Sequence, residues 1–183
     1  MGSTSIGLLE LKSIPVGIEA ADNMLKAANV EIVTATPSCP GKYIIIIQGN
    51  VGSVKSAINS GRQVAGSYLI SEHIINNVHE SISGAILGLT EVDKIASVGV
   101  IETISALSAV QVGDIVAKAS NVTLMEIRIA RGLGGKGVVT FTGEVSSVRS
   151  AVKACINGMG DSGELTSHCV IPSPHPDLLK HLN

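Results

Sequence analysis

The chain of 183 residues has no tryptophan and only three aromatic side chains, Tyr43, Tyr68 and Phe141. So few stacking platforms exclude the usual way of gripping single-stranded nucleic acid. The charge balance agrees. The formal net charge is −2, whereas a phosphate-binding surface needs an excess of Lys and Arg. Long apolar runs are missing as well. No stretch free of Asp, Glu, Lys and Arg exceeds about a dozen residues, and a membrane-spanning helix needs about 20 apolar ones. The segment from Met1 to Glu10 has no basic start ahead of an apolar stretch, so no secretory signal is expected. Cysteine is scarce: Cys39, Cys155 and Cys169 are an odd number with no short spacing. Without a secretory signal, they read as free thiols and not as a disulfide framework. Charged residues make up only 15% and hydrophobic ones 45%, which excludes a disordered chain.

What is abundant is glycine, 20 residues of it, beside Ile, Val, Leu and Ala. Such a core suits close backbone packing more than a roomy ligand pocket. The chain also repeats itself. Ser5-Ile-Gly-Leu-Leu-Glu10 matches Ser97-Val-Gly-Val-Ile-Glu102, and Asp22–Val30 matches Asp114–Val122, both at one offset. After a two-residue insertion in the second copy, Gly41-Lys42 meets Gly135-Lys136, and Gly49–Val54 meets Gly143–Val148. A period near 90 residues is too long for a solenoid unit. It predicts two copies of one small domain, residues 4–91 and 96–183, with a boundary near 90–95.

Each copy has the same rhythm: strand, helix, strand, Gly-rich turn, strand, helix, short strand. Ile44-Ile-Ile-Ile47 is continuous, not alternating, and predicts a strand buried on both faces. Ile18, Ala21, Leu25 and Ala28 share one helix face and predict its buried side. Asn29 and Asn121 stand where a left-handed helix cap is expected. The element order predicts an α+β, ferredoxin-like antiparallel sheet with flanking helices in each copy.

The runs Asp-x-x-x-Lys-Ala-x-Asn-Val and Gly-x-Val-x-Ser-Val, and the closing Pro172-Ser-Pro-His175 with its degenerate counterpart Asn76-Asn-Val-His79, resemble the bacterial microcompartment shell domain. The resemblance spans nearly the whole chain, twice. Two fused copies are similar to the tandem-domain shell proteins, which implies a pseudohexameric homotrimer with a pore on its threefold axis. Within that family the sequence most resembles the tandem shell proteins of propanediol-utilisation compartments, whose first domain carries a Cys-Pro-Gly-Lys turn. This chain has Cys39-Pro-Gly-Lys42. The resemblance implies that three copies of Cys39 ligate one [4Fe–4S] cluster per trimer. It further implies a place in the shell of a compartment in the bacterial cytoplasm, edge-to-edge contact with other shell proteins, and a redox enzyme on one side as electron partner. No catalysis, nucleic acid or membrane is implied.

The residues read on their own are compatible with this. Pro37 and Pro40 fix their φ angles and stiffen the turn around Cys39, as a cluster ligand requires. One cysteine holds a metal poorly, but a threefold axis supplies three. Soft thiolates select iron–sulfur clusters, zinc or copper(I). The plain alternative is a turn cysteine with no ligand role.

In the second copy the equivalent turn is Arg131-Gly-Leu-Gly-Gly-Lys-Gly137. Gly132, Gly134 and Gly137 match a dinucleotide-binding pattern as text, but that pattern needs a following helix, and Val138–Phe141 predicts a strand. By resemblance, Ser38, Pro40, Gly41, Arg131, Gly132, Leu133 and Gly134 line the pore, with Arg131 adding positive charge. Lys26 and Lys118 fall at equivalent positions near helix C-termini, where cations are favourable. The resemblance places them at the tile edge. Shell tiles often carry Arg inside the closing motif, where this chain has Ser173 and Asn77, so its edge contacts are weaker or made differently. His79 and His175 are equivalent and predict a structural role closing each domain. Glu10 and Glu102 also recur, which favours a fold role over paired acid–base work. Cys155 and Cys169 fall in or beside apolar positions and predict buried, inert thiols.

Two rival functions remain at this point. One is a metal-free shell protein whose central pore conducts small metabolites. The other is a redox enzyme or sensor using Cys39 as a reactive thiol, which needs a resolving cysteine nearby.

Overall fold

A computed structural model describes residues 4–92, 94–129, 132–160 and 162–182. Contacts divide it into two compact units, Met1–Val78 and His79–Asn183.

The first unit runs β1 (Thr4–Leu11), α1 (Ile14–Ala27), β2 (Glu31–Ser38), β3 (Lys42–Asn50), α2 (Val51–Ala65), a 3-10 turn (Gly66–Tyr68) and β4 (Leu69–Ile75). Its antiparallel sheet has the order β2-β3-β1-β4. The second unit opens with a short helix, α3 (Ser81–Leu87). It continues with β5 (Ser97–Thr103), α4 (Ala106–Ala119), β6 (Val122–Ile129), β7 (Gly137–Gly143), α5 (Val145–Met159), β8 (Leu165–Ile171) and α6 (Pro176–Leu179). Its sheet order, β6-β7-β5-β8, is the same permutation. Both are the ferredoxin-like arrangement that the element order predicts.

The strands form where the apolar runs lie. Ile44 to Ile47 are fully buried on both faces of β3; β3 is a central strand, and Ile45 and Ile47 pack in one core with Ala20, Met24, Val54 and Ala57 of the two helices. Helix starts follow local chemistry. The Asn50 side chain accepts from the Ser53 N–H at 2.9 Å, and the Ser105 hydroxyl accepts from the Ser108 N–H at 3.2 Å, each satisfying an orphan donor of the first turn.

Close helix–sheet contact is solved differently in the two units. Gly17 on α1 lies against the Tyr43 ring, and a Cβ there would stand 2.5 Å from Cδ1. At the equivalent place in the second unit, Ala109 on α4 faces Gly137, whose added Cβ would stand 2.4 Å from the Ala109 methyl. The space is the same. One copy fills it from the strand and the other from the helix.

Three expectations change. The buried face of α1 is Gly17, Ala20, Ala21 and Met24, while Ile18 and Leu25 are exposed. Helix periodicity finds an apolar stripe, but α1 has two and the smaller-residue stripe lies on the sheet. Asn29 and Asn121 are not left-handed caps. The helices end in extended Ala28 and Ser120, and the Val30 N–H donates to the Ala28 carbonyl at 3.0 Å, as the Val122 N–H does to Ser120 at 2.9 Å. Finally, the sequence repeat and the contact units part company after β4. Residues 79–91 follow the first copy in sequence, but α3 packs on β6 and α4 in the second unit.

Candidate metal centre

The β2–β3 hairpin of the first unit closes at the Ser38–Lys42 pair, which leaves Cys39, Pro40 and Gly41 as its tip. Ser38 is buried, and its hydroxyl donates to the Cys39 carbonyl at 3.4 Å. Cys39 is an exposed free thiol. Its peptide bond to Pro40 is cis. Gly41 adopts φ +68°, a conformation that favours glycine.

An ion pair fixes the base of this tip. Lys42 Nζ donates to Glu10 Oε1 at 3.0 Å, and the Ser71 hydroxyl from β4 donates to Glu10 Oε2 at 3.2 Å. The Glu10 carboxylate is buried in the sheet. Glu102, Lys136 and Thr166 repeat the arrangement in the second unit. There Lys136 Nζ donates to Glu102 Oε1 at 3.0 Å and the Thr166 hydroxyl donates to the same oxygen at 2.6 Å. The Thr166 hydroxyl and the Lys136 ammonium hold the Glu102 carboxyl below its ordinary pKa. Both recurring carboxylates therefore anchor the lysine that follows each turn, which is the fold role expected of them. The lysines were missed by the sequence reading. Their signal was present in the repeated Gly41-Lys42 and Gly135-Lys136.

The tip of the second turn is built on glycine. Gly132, Gly134 and Gly135 have φ of +70°, +62° and +94°, and the Lys136 N–H donates to the Leu133 carbonyl at 3.2 Å. Gly132 and Gly134 are exposed and Leu133 is half-buried. Strand β7 follows directly, so no nucleotide-binding helix start is present here. Arg131, expected at the pore, lies outside the described residues.

Among the described residues of one chain, no three His, Cys, Asp or Glu side chains are grouped to hold a metal ion. Cys39 is thus a single soft donor on a braced, exposed turn.

The remaining candidates fall elsewhere. Lys26 pairs with Asp22 at 2.5 Å and Lys118 with Asp114 at 2.6 Å, each one turn apart on its helix. His79 and His175 do close their segments. Nδ1 of each accepts the backbone N–H two residues on, from Ser81 at 3.3 Å and Asp177 at 3.2 Å. Cys155 is buried, and burial pushes its thiol up to about 12. Cys169 departs from expectation. It is exposed on β8, beside Arg149, Lys153 and His168 in a shallow groove, because β8 is an edge strand that α5 only partly covers.

The BMC domain profile matches this chain twice, at residues 5–78 and 97–174. The chain belongs to the BMC-domain family. Its two domains, each a four-stranded antiparallel sheet with helices, give it the fold of a tandem-domain shell protein. It is 41% identical to the "Bacterial microcompartment shell protein PduT" of Citrobacter freundii over 98% of both chains. A solved microcompartments protein from Desulfitobacterium hafniense DCB is 46% identical, with TM-score 0.93 over 97% of this chain and 98% of that one. The carboxysome shell protein CcmK1 of a Synechocystis strain is 34% identical over 84 residues, 44% of this chain and 76% of its own length. The molecule is a shell protein of a bacterial microcompartment. No helix among the described residues is long and apolar enough to cross a membrane.

Proposed function

We propose that three copies of this BMC-domain chain form a pseudohexameric shell tile in which the Cys39 thiolates bind one [4Fe–4S] cluster on the threefold axis. The tile then passes electrons across the shell or supplies the cluster to lumenal enzymes, and it catalyses no chemical transformation of its own. The observation that carries this reading is the exposed Cys39 at the tip of a hairpin braced by Lys42 and Glu10.

The residues fit the group. A thiolate is the ligand such clusters take, and three protein ligands leave one iron for an outside molecule. When bound, the cluster supplies storage of one electron. The chain's own part is mechanical and electrostatic. Pro37 and Pro40 limit the turn's motion. The Lys42–Glu10 pair ties the start of β3 to β1, which keeps the thiol at one height on the tip. Ser38, Pro40, Gly41, Gly132, Leu133 and Gly134, with Arg131, are assigned to the pore rim. Lys26 and Lys118 are assigned to contacts with neighbouring tiles, and a redox enzyme at one face is the proposed electron partner.

Electron paramagnetic resonance of anaerobically purified, dithionite-reduced protein tests this. The wild-type trimer gives a reduced-cluster signal and Cys39→Ala gives none. A trimer with no signal before or after anaerobic reconstitution with iron and sulfide overturns the cluster and leaves a pore for small metabolites.

A further inference from the structure

We infer that the groove between α5 and β8 of the second unit is a docking site for an extended acidic segment of another protein, which adds to the free edge of β8 as a further strand. The inference goes beyond the shell reading and does not depend on the cluster.

The edge is open. β8 ends its sheet and pairs only with β5, and no other backbone hydrogen bond among the described residues uses it. Its outer row of N–H and C=O groups invites a further strand unless a charge or a proline blocks the approach. Leu165–Ile171 contains no Asp, Glu, Lys, Arg or Pro.

The register sets which side chains flank that edge. Val170 lies opposite Gly99, and His168 lies opposite Ile101. A Cβ on Gly99 would stand 2.9 Å from Val148 of α5, so this is the face that α5 covers, and residues directly opposite share a face. His168 and Val170 therefore point toward α5. With Arg149, Lys153, Val152 and Ile156 of that helix they line a shallow groove of about 440 Å³. Val152 is buried in its floor and Ile156 is 44% exposed. Arg149, Lys153 and His168 are exposed and have no ion pair or side-chain hydrogen bond among the described residues. So open a groove does not enclose a small molecule. It suits a length of chain whose own backbone needs partners.

The first unit shows the same place closed. Arg62 and Glu72 stand where the second unit has Ile156 and His168, and they pair at 3.3 Å. Asn59 stands where the second unit has Lys153. One copy satisfies its charges internally, and the other presents cations beside an open edge. Charge complementarity calls for carboxylates. On a strand added to β8, alternate residues face α5. An acidic residue beside His168 and an apolar one beside Val170, two positions apart, meet both the cations and the apolar floor.

Fluorescence anisotropy of a short labelled peptide of alternating Glu and Val, titrated with the full chain, tests the site. The peptide binds. Its counterpart of alternating Lys and Val does not, and neither does the Glu–Val peptide carrying N-methyl groups along its backbone. Arg149→Glu with Lys153→Glu lowers the affinity by roughly tenfold or more. Ile156→Arg with His168→Glu, which rebuilds the ion pair of the first unit on exposed positions, abolishes binding while the circular dichroism of the folded chain is retained. Absence of binding by the wild-type chain overturns the inference, as does unchanged affinity in both double variants. Equal binding of the N-methylated peptide overturns strand addition. Displacement by inorganic phosphate at matched ionic strength assigns the groove to small anions and overturns a peptide site.

Discussion

Lys42 Nζ lies 3.0 Å from Glu10 Oε1, and this pair joins the Cys39 turn to the strand at the centre of the first sheet. The equivalent pair, Lys136 and Glu102, has the same separation but lies at the surface. Burial separates their consequences. Lys42→Met leaves the Glu10 carboxylate in the sheet with only the Ser71 hydroxyl, and should cost about 3 kcal/mol. Lys136→Met should cost clearly less, because water solvates Glu102. Urea unfolding of both variants checks the order. Equal losses would contradict the anchoring role of the first pair.

The Glu102 carboxyl titrates below its ordinary value in the folded protein. Its hydrogen bonds therefore add stability above the pKa of the unfolded chain and lose it as pH falls through the folded value. Glu102→Gln should flatten the acid limb of the stability curve, measured by thermal unfolding from neutral pH downward. An unaltered limb would count against that network.

Gly17 is held by space, not by backbone angle. Gly17→Ala should destabilise by about 1–3 kcal/mol, since the methyl meets the Tyr43 ring and the helix or ring must shift. Ala109→Gly, at the same place in the second unit, opens space instead of closing it, and should cost about 2 kcal/mol, the helical penalty of glycine plus the loss of one buried methyl. Calorimetry of the two variants distinguishes steric fit from propensity.

Much of this was legible in the residues. Glu10 with Glu102 and Gly41-Lys42 with Gly135-Lys136 exposed the duplication, and the Ile44–Ile47 run marked a central strand. The errors share a cause. Ile18 and Leu25 were assigned to the core because periodicity records an apolar stripe and not what covers it. Asn29 was assigned a cap on residue preference, but the chain leaves α1 extended. Cys169 sits among apolar neighbours in sequence, yet an edge strand exposes it. The Lys42–Glu10 pair and the placing of α3 on α4 depend on contacts made far along the chain, which local patterns do not carry.

Cys155 gives a chemical check on the core. Its thiol is pushed up to about 12 from 9.0, so the unfolded chain ionises it first. The stability it contributes is complete below pH 9 and is lost as pH rises toward 12, by about 1.4 kcal/mol per pH unit. Cys155→Ala should remove that part of the alkaline slope. In native protein at pH 8, iodoacetamide should label the exposed Cys169 and spare the buried Cys155, read by peptide mass. Rapid labelling of Cys155 would contradict its burial.

The cluster itself is tested most directly by counting atoms. Iron and acid-labile sulfide, measured per chain on anaerobically purified trimer, should each come to about 1.3, four atoms shared by three chains, and both should vanish in Cys39→Ala while the trimer persists. Zinc in place of iron, or iron that survives the loss of Cys39, would contradict a redox tile built on this turn.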